Sequence, residues 1–255
     1  MSQFLSPDIN QRTDAWGGSL ENRARIHIEI IKKCRKEVGN DFAISIKMNS
    51  ADFQKGGFSP EDSIRVAKLF SDSGIDNIEI SGGTYEQPRL LGLDKVSINP
   101  ERSENRKEST IAREAYFLSY AEEIAKVVNI PLMVTGGFRT KEGMEAALAD
   151  GACEIVGVGR PLCANPYAVK ELLAGQIDEL PKYEKTLSIG PWWLSPTSPF
   201  RLIQAINAFS AQAWFYQQIK KMGKGLMPDL NLKPWKAFRE DAKADQEAIK
   251  EYQNI

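Results

Sequence analysis

Along Leu20, Ala24, His27, Ile31, Cys34 and Val38 apolar positions recur at alternating steps of four and three, the spacing of one helical face, and Gly39 with Asn40 ends that helix. Ala43 to Met48, AISIKM, reads as the first strand, with Lys47 near its C-terminal end. Ser59, Pro60, Glu61 and Asp62 supply a capping hydroxyl, a proline at the first helical position and acids in the first turn. A helix therefore opens there, runs to about Ser73 and stops at Gly74. Asn77 to Ile80 is a second strand. Thr110 to Val128 is helical, with Ala115, Leu118, Ala121, Ile124, Ala125 and Val128 on one face. Pro131 to Thr135 and Glu154 to Val158 are short β-branched-rich strands. Between them Thr140, Lys141 and Glu142 open a helix that Gly151 closes, and a last helix from Asn165-Pro166 to Leu173 is capped by Gly175. Residues 1–18 hold no periodic pattern and read as loop. Glu86 to Ser109 is charged, irregular and too long for a simple connection, so it reads either as a functional lid or as disordered chain.

This alternation predicts an α/β protein of the (β/α) TIM-barrel type, with strands near residues 43, 77, 131 and 154. A chain of 255 residues has the length of a complete eight-stranded barrel, yet the pattern supplies four strands. The expectation is the C-terminal four βα units, a half-barrel over residues 1–180. Four strands cannot close on themselves, so the first and fourth would present edges that a second copy of the chain or a missing N-terminal half must cover. From Pro181 onward no strand pattern remains. Helices from about Phe200 to Met222 and from about Pro234 to Tyr252 make residues 181–255 a helical tail packed on the barrel. Gln204, Asn207, Ser210, Gln212, Gln217 and Gln218 interrupt the apolar arc of the first tail helix, which favours packing over a membrane-lying role.

Composition narrows the functional classes. A formal net charge of −1, with lysines and arginines scattered among acids, leaves no basic stripe for nucleic acid. Cys34, Cys153 and Cys163 have no CxxC spacing, which argues against a disulfide frame, zinc or an iron–sulfur cluster and for a cytoplasmic setting. No signal segment and no apolar run of about 18 residues is present. His27, the one histidine, lies on an apolar stripe and reads as a core side chain. The chemistry gathers instead where strands end in glycine. Gly136 and Gly137 follow one strand, and Gly157, Gly159 and Arg160 belong to the next. Uncovered amides there attract a phosphate, as the last two strands of a barrel do on its C-terminal face; the alternative is that these glycines only make tight turns.

The segments FLSPDINQRTDAWGGSLENRAR at 4–25, IKMNSADFQKGGF at 46–58, IEISGGTYE at 78–86, and PLMVTGGFRT with VGVGRPLC within 131–163 together resemble the old yellow enzyme family of FMN-dependent oxidoreductases. The resemblance spans nearly the whole chain, and the NQRTDxWGGSLENR segment is its most specific part. It implies FMN as cofactor, NAD(P)H as hydride donor and a small electrophilic substrate such as an activated C=C bond. Lys47 stands where the family carries a basic residue, often arginine, near flavin N1, where a cation stabilises the anionic reduced ring. Gly136, Gly137, Gly159 and Arg160 match the family's phosphate and ribityl contacts, with Ser81 and Gly82 close by. A surface ion pair is the plain alternative for Arg160. Tyr85 is a weak candidate to face substrate, since a tyrosine at a strand end is as often packing. Arg12, Asp14, Glu21, Asn22 and Arg23 belong to the signature but have no evident chemistry, so they read as structural. The family's substrate-clamping His/Asn pair and tyrosine acid have no counterpart here. A second reading is therefore a half-barrel that holds phosphate or FMN weakly and catalyses nothing alone.

Overall fold

In the computed structural model, which describes residues 2–52, 55–81 and 117–253, four parallel strands form one sheet in chain order. They are β1 (Ser45–Asn49), β2 (Asn77–Ser81), β3 (Leu132–Thr135) and β4 (Ile155–Gly157). The chain divides into two compact units, Met1–Gly157 and Val158–Ile255. The first holds the sheet with helices α1 (Leu20–Val38), α2 (Pro60–Asp72), α3 (Leu118–Ala125) and α4 (Lys141–Ala149). Three of these start on hydroxyl caps: Ser19 accepts from the Asn22 N–H, Ser59 from Asp62 and Thr140 from Gly143. Gly39, at a φ of 77°, ends α1 where a side chain would be strained.

In-register pairing sets Ile46 beside Ile78 and Leu132, and Met48 beside Ile80, Val134 and Val156. Period-two alternation puts these rows on one face, against Leu20, Ala24, Ile31, Val66, Ala67, Phe70, Ala121 and Ile124 of the helices. Each buried Val, Leu, Ile, Met or Phe side chain here contributes about 1.5–3 kcal/mol, and the alanines less. His27 belongs to this layer, buried on α1 with its ring 5.5 Å from that of Phe70, as a core histidine. The opposite face carries Ser45, Lys47, Asn49, Asn77, Glu79, Ser81, Met133, Thr135 and Ile155, of which Ser45, Lys47 and Ile155 are exposed. The sheet edges are β1 and β4.

The N-terminal loop is tied down by the signature residues. The buried Arg23 guanidinium donates to the Leu5 carbonyl, to Gly18 O at 3.3 Å and to Asp62 Oδ2 at 2.9 Å, joining loop, α1 and α2. Glu21 pairs with Arg65 at 2.7 Å, Arg12 with Asp14, and Arg25 donates to Ala15 O. At Gly17 a Cβ would lie 2.2 Å from Arg12 O, so only glycine fits the loop's close approach. Arg35 performs the same service at the other end of α1, donating to the carbonyls of Gly39, Phe42 and Gly74 and pairing with Asp76, whose carboxylate also accepts the Ile44 N–H at 2.6 Å.

The second unit consists of α5 (Arg160–Ala164), α6 (Ala168–Leu173), α7 (Arg201–Met222) and α8 (Pro234–Gln253). The α5 turn occupies a stretch to which the sequence pattern assigns no element. The helix expected from Asn165-Pro166 starts later, because Asn165 Oδ1 accepts the Tyr167 N–H and closes a turn around Pro166. The polar residues of α7 grip the tail's own loops. Asn207 accepts from Ile189 N and donates to Leu194 O, Gln204 donates to Ser198 O, and Gln218 exchanges two hydrogen bonds with the Asp229 backbone. Trp214 is buried with Ala164, Leu187, Ala213 and Ala237, its indole N–H on Leu232 O at 2.9 Å. Among the described residues no helix is long and apolar enough to cross a membrane.

Two outcomes follow from these contacts. The Ile44 N–H first, and Arg35 second, hold the Asp76 carboxyl below its ordinary 3.8. Its stabilisation is therefore complete above that value and is lost as pH falls through the lower folded value. Unfolding measured from about pH 2 to pH 7 should give Asp76→Asn a shallower acid slope than the parent; identical slopes would remove Asp76 from the acid limb. In the second case, Gly157 sits opposite Thr135, where a Cβ would lie 1.9 Å from Thr135 Oγ1 and 2.7 Å from Met133 Cε. Gly157→Ala should lower unfolding free energy by about 1–3 kcal/mol through overpacking, and an unchanged denaturation midpoint would contradict that packing.

Candidate functional site

The strands of the first unit end in a polar rim. At the end of β3, Gly136 and Gly137 adopt φ values of 139° and 82°, the region that favours glycine, and turn the chain sharply into the buried Phe138 and Arg139. No hydrogen bond in the described turns and loops uses the N–H of Gly136 or Gly137. The Thr135 hydroxyl just before them is buried without a hydrogen-bond partner, and it fills the space that any side chain at position 157 would take. Uncommitted amides in a left-handed glycine turn are a donor set suited to an anion.

At the ends of β1 and β2, Ser81 is buried and its carbonyl accepts the Ser50 N–H at 2.6 Å. The loop after β1 is clasped by the buried Asp52, which accepts from the Phe58 N–H at 2.9 Å and from Asn49 Nδ2 at 3.2 Å, while its own N–H donates to Phe58 O. Lys47 lies in mid-strand on the face away from the helices. Its ammonium is paired with Glu79 Oε1 at 2.6 Å, on the neighbouring strand in direct register. The cation expected for a flavin ring thus already has a counter-ion. Sequence reasoning missed Glu79, although the alternation of Asn77–Ser81 together with a parallel register would have set it beside Lys47.

Gly159 and Arg160 follow β4 in the chain and belong to the second unit. Gly159 precedes α5 with no side-chain cap over that helix's first amides. The helix is a single short turn, so its dipole adds little. Arg160 lies 3.9 Å from Glu184, so the ion pair considered as its plain alternative is present, at a separation longer than a hydrogen bond. Cys163 donates weakly to Gly159 O at 3.7 Å, and burial pushes its thiol above the ordinary cysteine value, away from thiolate chemistry at neutral pH. Among the described residues no group of three or more His, Cys, Asp or Glu side chains is placed to hold a metal ion. Gly82, Tyr85 and the charged stretch at 86–109 lie outside the described residues.

For FMN, the fit divides into two parts. The phosphate end has the glycine turn, where the N–H groups of Gly136 and Gly137 enter no turn or loop hydrogen bond among the described residues, while the ring end meets Lys47 already held by Glu79.

The description of the NADH:flavin oxidoreductase / NADH oxidase family matches residues 1–179. The chain is 40% identical over 178 residues to the NADH-dependent flavin oxidoreductase iliE of Hypocrea jecorina (strain QM6a), covering 68% of this chain and 41% of that one. It is 34% identical over 228 residues to the NADH-dependent flavin oxidoreductase iccE of Talaromyces variabilis, covering 88% and 52%. A solved 2-naphthoyl-CoA reductase in complex with 2-naphthoyl-CoA superposes with a TM-score of 0.58 at 33% identity, over 70% of this chain and 25% of that one. The chain spans about half the length of these two curated relatives. Its parallel strands with their helices are four βα units of the (β/α) barrel that old yellow enzymes share. With the family pattern running from residue 1 to residue 179, the chain belongs to the NADH:flavin oxidoreductase / NADH oxidase family, the family of the old yellow enzymes.

Proposed function

We propose that this chain forms the phosphate-binding half of an FMN-dependent barrel that passes hydride from NAD(P)H to a small electrophilic acceptor. The observation that carries the reading is the left-handed Gly136–Gly137 turn at the end of β3, with both N–H groups outside the turn and loop hydrogen bonds among the described residues. In this reading Gly136 and Gly137 offer amides to the phosphate, Ser81 and Gly82 lie near the ribityl chain and Lys47 faces the ring, while Gly159 and Arg160 of the second unit are assigned to the phosphate by the family resemblance alone. Bound FMN supplies the two-electron hydride transfer that no amino-acid side chain can perform. Residues 1–180 make up the flavin-binding portion and residues 181–255 an appended helical portion; the family pattern's end at residue 179 supports that division.

The open face of the sheet supports a further point about what the chain does alone. Its described residues include no histidine and no tyrosine, and His27 is buried in the helical layer. Among the described residues this face then offers no histidine or tyrosine to clamp the substrate's activating group or to donate a proton, and Tyr85, outside them, is a weak candidate. Catalysis needs the acceptor held and protonated as well as a flavin. The favoured reading is therefore an enzyme half, and a phosphate-holding chain without turnover is what the same face gives in isolation.

Two measurements test this. Arg160→Ala should weaken FMN binding about tenfold or more, because a charge-assisted contact of about 1.5–3 kcal/mol is removed; equal affinities in fluorescence titrations would sink the assignment of Arg160. The 255-residue chain by itself should purify colourless or weakly yellow and reduce no enone, whereas fusion to the first half of a full-length relative's barrel should bring FMN and NAD(P)H oxidation together. An isolated chain that is yellow and turns over an enone at ordinary enzymatic rates would overturn the half-enzyme reading.

A further inference from the structure

Lys47 and Glu79 face each other across β1 and β2 with Nζ 2.6 Å from Oε1, and their side chains differ in cover, 54% exposed for the lysine and 20% for the glutamate. The row they share continues through Met133 and Ile155, and the rows on either side hold Ser45 with Asn77, and Asn49 with Ser81. Among the described residues, this face of the sheet carries no other charge. Glu79 is thus the single counter-ion for Lys47 here, and it is the more fixed of the two, while the lysine has a flexible four-carbon stem and open surroundings. The strand ends lie two residues further along, about 7 Å at strand rise, so an ammonium held at Glu79 lies below the rim where Gly136 and Gly137 turn.

We propose that Glu79 is a positioning residue for the flavin: it holds the Lys47 ammonium along the sheet in the free chain, and the electron-rich pyrimidine edge of the ring must draw Lys47 away from it. This rests on the flavin reading above. The carboxylate competes with the cofactor for one cation, so binding at the ring end is an exchange of partners, while binding at the phosphate end is not. A half-exposed ion pair is a weak competitor, which sets the size of the effect.

Glu79→Gln keeps shape and hydrogen-bonding capacity and removes the charge. Equilibrium dialysis of the full chain should show this variant binding both FMN and riboflavin about threefold more tightly than the parent, the scale of a partly exposed ion pair. In a Lys47→Met background the same change should have no effect on either ligand. Arg160→Ala should weaken FMN and leave riboflavin unchanged, which separates the phosphate end from the ring end. If Glu79→Gln lowers the melting temperature but leaves both affinities unchanged, Glu79 braces the strands and the inference falls, while the flavin reading stands as long as Arg160→Ala weakens FMN. Tighter binding that persists with Lys47→Met would also overturn it, since Glu79 would then act on the ligand directly. If no form of the chain takes up FMN at millimolar concentration, the flavin reading and this inference fall together.

Discussion

Side chains alternate across a parallel sheet whose strands pair in register, and the first unit is arranged around that parity. Ile46, Ile78 and Leu132 share one row, and Met48, Ile80, Val134 and Val156 another, so the helical layer has a continuous apolar floor. The same parity forces Lys47, Glu79, Met133 and Ile155 into a row on the other side. A slip of one residue would drive Lys47 and Glu79 under α1 and α2, at several kcal/mol per desolvated ion, and expose the isoleucines. Register is thus fixed by hydrophobic burial, and the ion pair is its consequence. The contact between Thr135 and Gly157 has the same origin, since register puts a hydroxyl over a position that has no room for a side chain.

A second constraint explains why the densest signature in the sequence sits far from any chemistry. Arg23 is buried, and a guanidinium removed from water without partners would cost several kcal/mol. It meets two carbonyls, of Leu5 and Gly18, and the carboxylate of Asp62. Those three acceptors belong to the N-terminal loop and to α2, so satisfying one side chain fixes three segments. Lysine could not do this, because only the planar fork presents donors in several fixed directions. The loop of residues 2–18 is therefore ordered by donors and acceptors instead of by apolar periodicity, and so it reads as patternless in sequence.

What was legible in the sequence is what is decided locally. The caps Ser19, Ser59 and Thr140 act on amides three residues ahead, so those helix starts and the four strands were readable within a residue or two, whereas the helix expected from Thr110 to Val128 is found as Leu118–Ala125, with 110–116 outside the described residues. The α5 turn was not, because five residues with a proline near the start show no periodicity. The start of α6 was misplaced because a side-chain turn at Asn165 competed with a helix cap, and both use the same residue type. In the candidate site, the glycine turn at Gly136 and Gly137 was legible, since left-handed backbone asks for glycine. The Lys47–Glu79 pair was not, because its partners lie 32 residues apart and meet only once the register is known.

On the proposed reading, these two kinds of determinant divide the work of holding a flavin. Gly136 and Gly137 present backbone amides from a turn already in shape, so a phosphate there loses little to rearrangement and each charge-assisted hydrogen bond keeps most of its roughly 1.5–3 kcal/mol. Lys47 gives up Glu79 to meet the ring, and the gain is only the difference between two contacts of one cation, at a site exposed enough that either is worth about 1 kcal/mol or less. Affinity would then come from the phosphate end, and the ring end would contribute orientation and charge. A flavin tethered by its phosphate over an open sheet face keeps much of its ring in water. On this reading one flank of a barrel would bind the cofactor's tail and leave catalysis to whatever covers the face that carries Lys47, Glu79, Met133 and Ile155.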